Sequence, residues 1–198
     1  MPKSVLALDV SSVSTGWAFG RVGEKPLAGM VRFAPKGALD DEIWLAAMRW
    51  LTDRMNVLNP DVVAIEAAIM TSNFDEEGRP KTNPRTQGLL WGLQSILRTV
   101  VKAKKPSPAK LVNVSSARKL FTGKGTYPKG QAKPAVKRRA IELGWLTPED
   151  ATEDKADACC IFAKACADID PAFAANFTLL GTAKSNVVRL IPSSEEMF

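Results

Sequence analysis

Asp9, Glu66, Asp154 and Asp157 are the residues of this 198-residue sequence whose type and spacing point most directly to chemistry. Asp9 ends the apolar run Val5-Leu6-Ala7-Leu8, and Glu66 ends Val62-Val63-Ala64-Ile65. Short unbroken apolar runs predict parallel strands buried on both faces, here each closing on a carboxylate. Asp154 and Asp157 lie three apart in Glu153-Asp154-Lys155-Ala156-Asp157-Ala158-Cys159-Cys160-Ile161, so in a helix they share a face. Taken singly, each acid has an ordinary structural use: Asp9 can open a turn with Ser11, Ser12 and Ser14, and Asp154 can complement a helix dipole behind a Thr152 cap. Taken together, four carboxylates converging on one point repel unless a cation holds them. Magnesium prefers oxygen ligands and bridges to phosphate, so the pattern predicts a metal-dependent phosphate enzyme.

The charge pattern names the substrate class. Residues 79–139 contain sixteen of the 27 Lys and Arg and none of the 21 Asp and Glu. Segregation on this scale builds a surface for a polyanion. Nucleic acid fits best, because neutralising phosphates releases counterions and supplies affinity without sequence reading. An acidic metal centre beside a basic surface is what a nuclease needs.

Composition excludes other classes. The sequence has no histidine, which removes Ser-His, Cys-His and histidine-base catalysis. Three cysteines without a CxxC pair make neither a disulfide framework nor a zinc site. Cys159, Cys160 and Cys166 are expected to pack as small apolar residues in a reducing cytoplasm. Apolar stretches are too short to span a membrane, and the first residues do not form a signal peptide.

The elements that must position the acids can be placed from periodicity. Strands are expected at 5–9, 16–22 and 27–33 as a meander, at Val62–Glu66 parallel to the first, and at 111–114. Helices are expected at 40–55, 86–103, from Pro134 to Gly144, and at 154–167. Residues 71–84 form a polar loop, and Gly123-Lys124-Gly125-Thr126-Tyr127-Pro128-Lys129-Gly130 a flexible basic one that is not a P-loop. Gly88 and Gly92 open a gap on the second helix for another backbone or for the sheet. The chain divides into a domain over 1–170 and an extension, 171–198, of unassigned role, with weak strand tendency at 186–191.

In this order of elements and carboxylates, the sequence resembles the RuvC-type Holliday-junction resolvases of the RNase H-like superfamily, over about residues 5–167. The motifs are Leu8-Asp9-Val10-Ser11 leading to Thr15-Gly16-Trp17-Ala18, then Ala64-Ile65-Glu66, then Asp154-Lys155-Ala156-Asp157-Ala158, with the Gly-x-Gly basic loop between them. The resemblance implies an α/β RNase H-like fold, with a five-stranded mixed sheet (antiparallel meander plus parallel strands) flanked by helices. It implies Asp9, Glu66, Asp154 and Asp157 as the quartet for two magnesium ions, with manganese as a substitute, and Lys129 offsetting charge on the phosphate. Branched DNA would be held by Ile69, Arg79, Lys81, Arg85, Arg118, Lys119, Lys124, Lys129 and Lys133, and the active form would be a homodimer built on the 86–103 helix.

The implied reaction is metal-dependent hydrolysis of a four-way DNA junction, leaving 5′-phosphate and 3′-hydroxyl ends. Val10-Ser11 after the first acid and aliphatic Ile69 depart from the cellular bacterial pattern and are similar to phage or prophage members. Two alternatives keep the fold: a nuclease for flaps, forks or RNA–DNA hybrids, and a junction-binding protein without catalysis. An actin-like kinase, suggested faintly by Asp9-Val10-Ser11-Ser12 and Thr15-Gly16, would need a second domain for which 198 residues leave no room.

Overall fold

A computed structural model of the chain describes residues 1–67 and 83–182. The loop expected at 71–84 and the strand tendency at 186–191 therefore lie largely or wholly outside the described residues, as do Ile69, Arg79 and Lys81.

One mixed sheet of five strands runs in the order β3-β2-β1-β4-β5. β1 (Ser4–Asp9), β2 (Thr15–Arg21) and β3 (Leu27–Val31) form the expected antiparallel meander. β4 (Val62–Glu66) and β5 (Lys110–Val112) extend the sheet in parallel beyond β1. Asp61 ties the two central strands at their N-terminal ends: its Oδ2 accepts from Ser4 N and Oγ at 2.8 Å each, and its own N–H donates to Ser4 Oγ at 3.0 Å. That tie sets the register that brings their C-terminal ends level.

Side chains alternate between two apolar layers, and Val5, Leu6, Ala7 and Leu8 are wholly buried between them. Leu6, Leu8, Val63 and Ile65 face α1 (Asp40–Leu58) and α2 (Pro84–Lys104). Val5, Ala7 and Ala64 face α5 (Glu153–Ile169), the helix richest in small buried residues. α1 opens with Glu42 accepting from Leu39 N–H at 2.8 Å and closes at Asn59 in the left-handed region, φ 42°. α2 opens on Asn83, whose side chain accepts from Arg85 N–H at 2.9 Å, followed by Pro84. The gap at Gly92 is filled by α1: a Cβ there would lie 2.2 Å from the Trp44 indole, whose Nε1 donates to Leu89 O at 3.2 Å. Gly88, by contrast, faces open space.

Three elements depart from the expectation. The fifth strand stops at Val112, because Asn113 caps a helix, α3 (Val114–Thr122), by accepting from Ser116 N–H at 3.0 Å. α4 (Ala132–Glu142) begins two residues before Pro134, which fits there because first-turn N–H groups lack helical partners anyway. It stops at Glu142 with Leu143 as its cap, and the expected terminator Gly144, φ 67°, follows in the left-handed region. α6 (Pro171–Thr182) starts behind Asp170, which accepts from Ala172 N–H at 2.9 Å. Phe173 packs on Phe177, which stacks at 5.9 Å on Phe121 and lies 5.7 Å from Trp145. Cys159, Cys160 and Cys166 are buried thiols, and burial pushes Cys159 and Cys166 up to about 12. No helix among the described residues is long and apolar enough to cross a membrane.

Candidate active site

Strand alternation puts Asp9 on the face of Val5 and Ala7, and Glu66 on the face of Val62 and Ala64, both toward α5. Leu8 pairs with Ile65, so the two acids occupy the next rung of the parallel ladder, side by side at the carboxyl ends of β1 and β4. Side by side, the two carboxyl groups disfavour charge on one another. Burial first, and then Glu66 and Asp154, push Asp9 up to about 9, against a small opposing pull from Lys133.

α5 brings the second pair. Thr152 caps it, accepting from Lys155 N–H at 3.3 Å, so Asp154 falls in the first turn and Asp157 one turn on. Asp157 is 7 % exposed, and burial followed by the charge of Asp9 raises it to about 7. Arg118 and Lys133 pull the other way. Arg118, on α3, sets Nη2 at 3.9 Å from Asp157 Oδ1, an ion pair too long for a hydrogen bond. Asp157 Oδ1 and Arg118 Nε are consequently buried without hydrogen-bond partners.

Lys133, in the first turn of α4, pairs with Glu153 at 3.2 Å and also faces Asp157 and Asp154. Burial lowers its ammonium, but those three acids outweigh it and the net direction is upward. Of the cations expected from the sequence, Arg118 and Lys133 thus stand against the acids. Lys129, Lys119 and Lys124 are exposed on the adjoining surface, and Arg85 turns to Asp40 at 3.8 Å.

Among the described residues no group of three or more acidic side chains is disposed to hold a metal ion as it stands, although Asp9 lies within electrostatic reach of Glu66 and Asp154, and Asp157 within reach of Asp9. The donor chemistry nevertheless fits a hard divalent cation: oxygen donors only, one buried carboxylate oxygen unspent, and like charges needing neutralisation. Asp9, Glu66, Asp154 and Asp157 are the residues that would hold it.

Two positioning contacts escaped the sequence reading. Gln94 on α2 donates its side-chain amide to the Glu66 carbonyl, tying down the end of β4. Its signal was a lone polar residue within the apolar stripe Leu90, Leu93, Leu97 and Val101. Gly16, rung partner of Asp9, carries no side chain where α5 crosses β2. It lay inside a quoted motif, but nothing local announced the contact.

No family model and no curated protein matches the chain. Solved structures do. Thermus thermophilus RuvC aligns with TM-score 0.60 and 16 % identity over 91 % of this chain and 98 % of that one. The same protein in complex with Holliday junction substrate gives 0.62 and 14 % over 92 % and 98 %. The yeast mitochondrial Holliday junction resolvase gives 0.54 and 15 % over 87 % and 83 %. At such identities the likeness lies in the path of the backbone, and by that measure the chain has the RuvC-type, RNase H-like fold.

Proposed function

We propose that this protein is a structure-specific DNA endonuclease that resolves four-way junctions by divalent-metal-dependent phosphodiester hydrolysis. The observation that carries the proposal is the meeting of Asp9, Glu66, Asp154 and Asp157 on one face of the sheet, opposed by Arg118 and Lys133. The fold supports it, since a structural neighbour was solved with a Holliday junction.

Asp9, Glu66 and Asp157 would hold two magnesium ions, or manganese in their place, with Asp154 completing the set. The chemistry such ions supply when bound is a water acidic enough to act as nucleophile and charge stabilisation on the leaving oxygen. Water oxygen joins phosphorus and the bond to the 3′ oxygen breaks, leaving a 5′-phosphate and a 3′-hydroxyl. Arg118 and Lys133 sit where they can exchange carboxylate partners for the phosphate and offset its charge, and Lys129 offers a further contact from the loop. The exposed cations Lys119 and Lys124 hold the arms through their phosphates.

Paired cuts in a near-symmetric junction call for a symmetric dimer. The open face of α2 at Gly88 and the 41 %-exposed Trp91 is the surface for it, since Gly92 is already occupied by Trp44. Buried thiols suit the reducing cytoplasm, and Val10-Ser11 after the first acid suits a phage-type member.

The test is cleavage of a labelled synthetic four-way junction in magnesium, beside flap, fork and linear duplex, with Asp9→Asn as control. Paired symmetric nicks confined to the junction and absent from the control are expected. Equal cutting of flaps or forks would widen the substrate class, and junction binding without cutting in either metal would leave a binding protein.

A further inference from the structure

We infer that Tyr127 and Lys124 form a one-nucleotide platform at the rim of the acidic centre, the ring taking an unstacked base and the ammonium its phosphate. This rests on the junction reading above. Within the acid-free segment 79–139 the aromatic residues are Trp91, Phe121 and Tyr127. Phe121 is 1 % exposed in the core, and Trp91 lies on α2. Tyr127 lies in the loop that joins the helix of Arg118 to the helix of Lys133, the two cations that face Asp157. That loop leaves α3 one turn after Arg118 and enters α4 one residue before Lys133, so both its ends lie beside the two cations.

The ring is held in place before any ligand arrives. Tyr127 Oη donates to Thr122 Oγ1 at 2.6 Å, and the Thr122 hydroxyl in turn reaches Arg118 O at 2.8 Å. One hydroxyl thus links the ring to the helical turn that carries Arg118. Gly125 lets the loop fold back on α3, where a Cβ would lie 3.1 Å from Ser115 O. Lys124 Nζ sits over the Tyr127 ring, 5.4 Å from its centroid, attracted by the face of the π system. A pre-ordered ring loses little freedom on binding, and an aromatic ring with a cation at its face is the combination that receives an unpaired nucleotide. Bases at the exchange point of a four-way junction lie where strands change partners and stacking can be opened, next to the phosphates to be cut.

The experiment compares wild type, Tyr127→Phe and Tyr127→Leu on junctions carrying 2-aminopurine at the exchange point or within an arm, with calcium replacing magnesium to prevent cleavage. Wild type should quench the exchange-point probe and leave the arm probe unchanged, and Tyr127→Phe, which keeps the ring but loses its tie to Thr122, should quench it less completely. Tyr127→Leu should lose that quenching and bind the junction about tenfold more weakly, with duplex affinity kept. Circular dichroism and melting of each variant establish that it is folded. Tyr127→Leu behaving as wild type would overturn the inference. So would Tyr127→Phe failing as badly as Tyr127→Leu, since the tie to Thr122 would then be what matters. A wild type with no preference for junction over duplex overturns the underlying reading instead, and that is visible before any variant is compared.

Discussion

The carbonyl oxygen of Asp154 lies 2.0 Å from the point where a Cβ on Gly16 would stand. Gly16 is also the rung partner of Asp9. A bare backbone at one position of β2 therefore sets how closely the acids of α5 approach the acids of the strands.

Gly16→Ala should push the first turn of α5 off the sheet. Because the obstacle is backbone, the strain should destabilise the protein by about 1–3 kcal/mol. Displacing Asp154 and Asp157 by even an ångström should lower junction cleavage about 100-fold. Thermal melting and single-turnover cleavage on the same sample separate the two effects.

Asp9 and Asp157 make a prediction about pH. Their folded values, about 9 and about 7, lie above the ordinary carboxylate value, so the folded state binds more protons than the unfolded state between pH 4 and 9. Stability is then fully present below about pH 4 and falls as pH rises through 7 and 9. Even one unit of upward shift is worth about 1.4 kcal/mol, a fall in Tm of roughly 3 °C for a chain of this size. Melting in EDTA from pH 5 to 9 should show that decline, and Asp9→Asn should flatten it. A Tm that rises with pH would contradict the raised values of Asp9 and Asp157.

Lys133 and Lys129 should separate kinetically. Lys133 faces Asp157, Asp154 and Glu153, whereas Lys129 is exposed in the loop. Lys133→Ala should lower kcat by about 10- to 100-fold with a modest change in KM, as for loss of a charge that acts on the developing transition state. Lys129→Ala should instead weaken binding and reduce the salt dependence by about one phosphate contact. Cleavage kinetics at two salt concentrations distinguish them.

Gln94→Leu removes the donor to the Glu66 carbonyl while keeping bulk in the apolar stripe. Leaving that partly buried acceptor unpaired should cost about 1–2 kcal/mol. If the bond aims Glu66, divalent-ion affinity measured by calorimetry should fall more than the melting temperature alone would account for. An unchanged affinity would confine Gln94 to holding the strand end.

Local chemistry was legible in the order of residues. Val5-Leu6-Ala7-Leu8 and Val62-Val63-Ala64-Ile65 have no polar interruption, so they could only be buried strands, and Asp9 and Glu66 had to emerge at their ends. Thr152 and Gly144 announced helix ends because a cap acts within one turn. α3 and α6 were not legible. α3 buries only Ala117 and Phe121 in nine residues, and Phe173 and Phe177 of α6 find their purpose only against Phe121 and Trp145, more than 25 residues away.

The sequence by itself determined which acids could meet and that the basic residues gather in one acid-free segment, because strand parity, helical spacing and charge count are properties of neighbours in the chain. Only the tertiary structure decided that Arg118 and Lys133 oppose those acids, that Gln94 anchors Glu66, and that Gly16 yields its space to Asp154. Each of those contacts joins elements distant in sequence. Their geometry follows from how two apolar layers close on one sheet, which no local pattern of residues encodes.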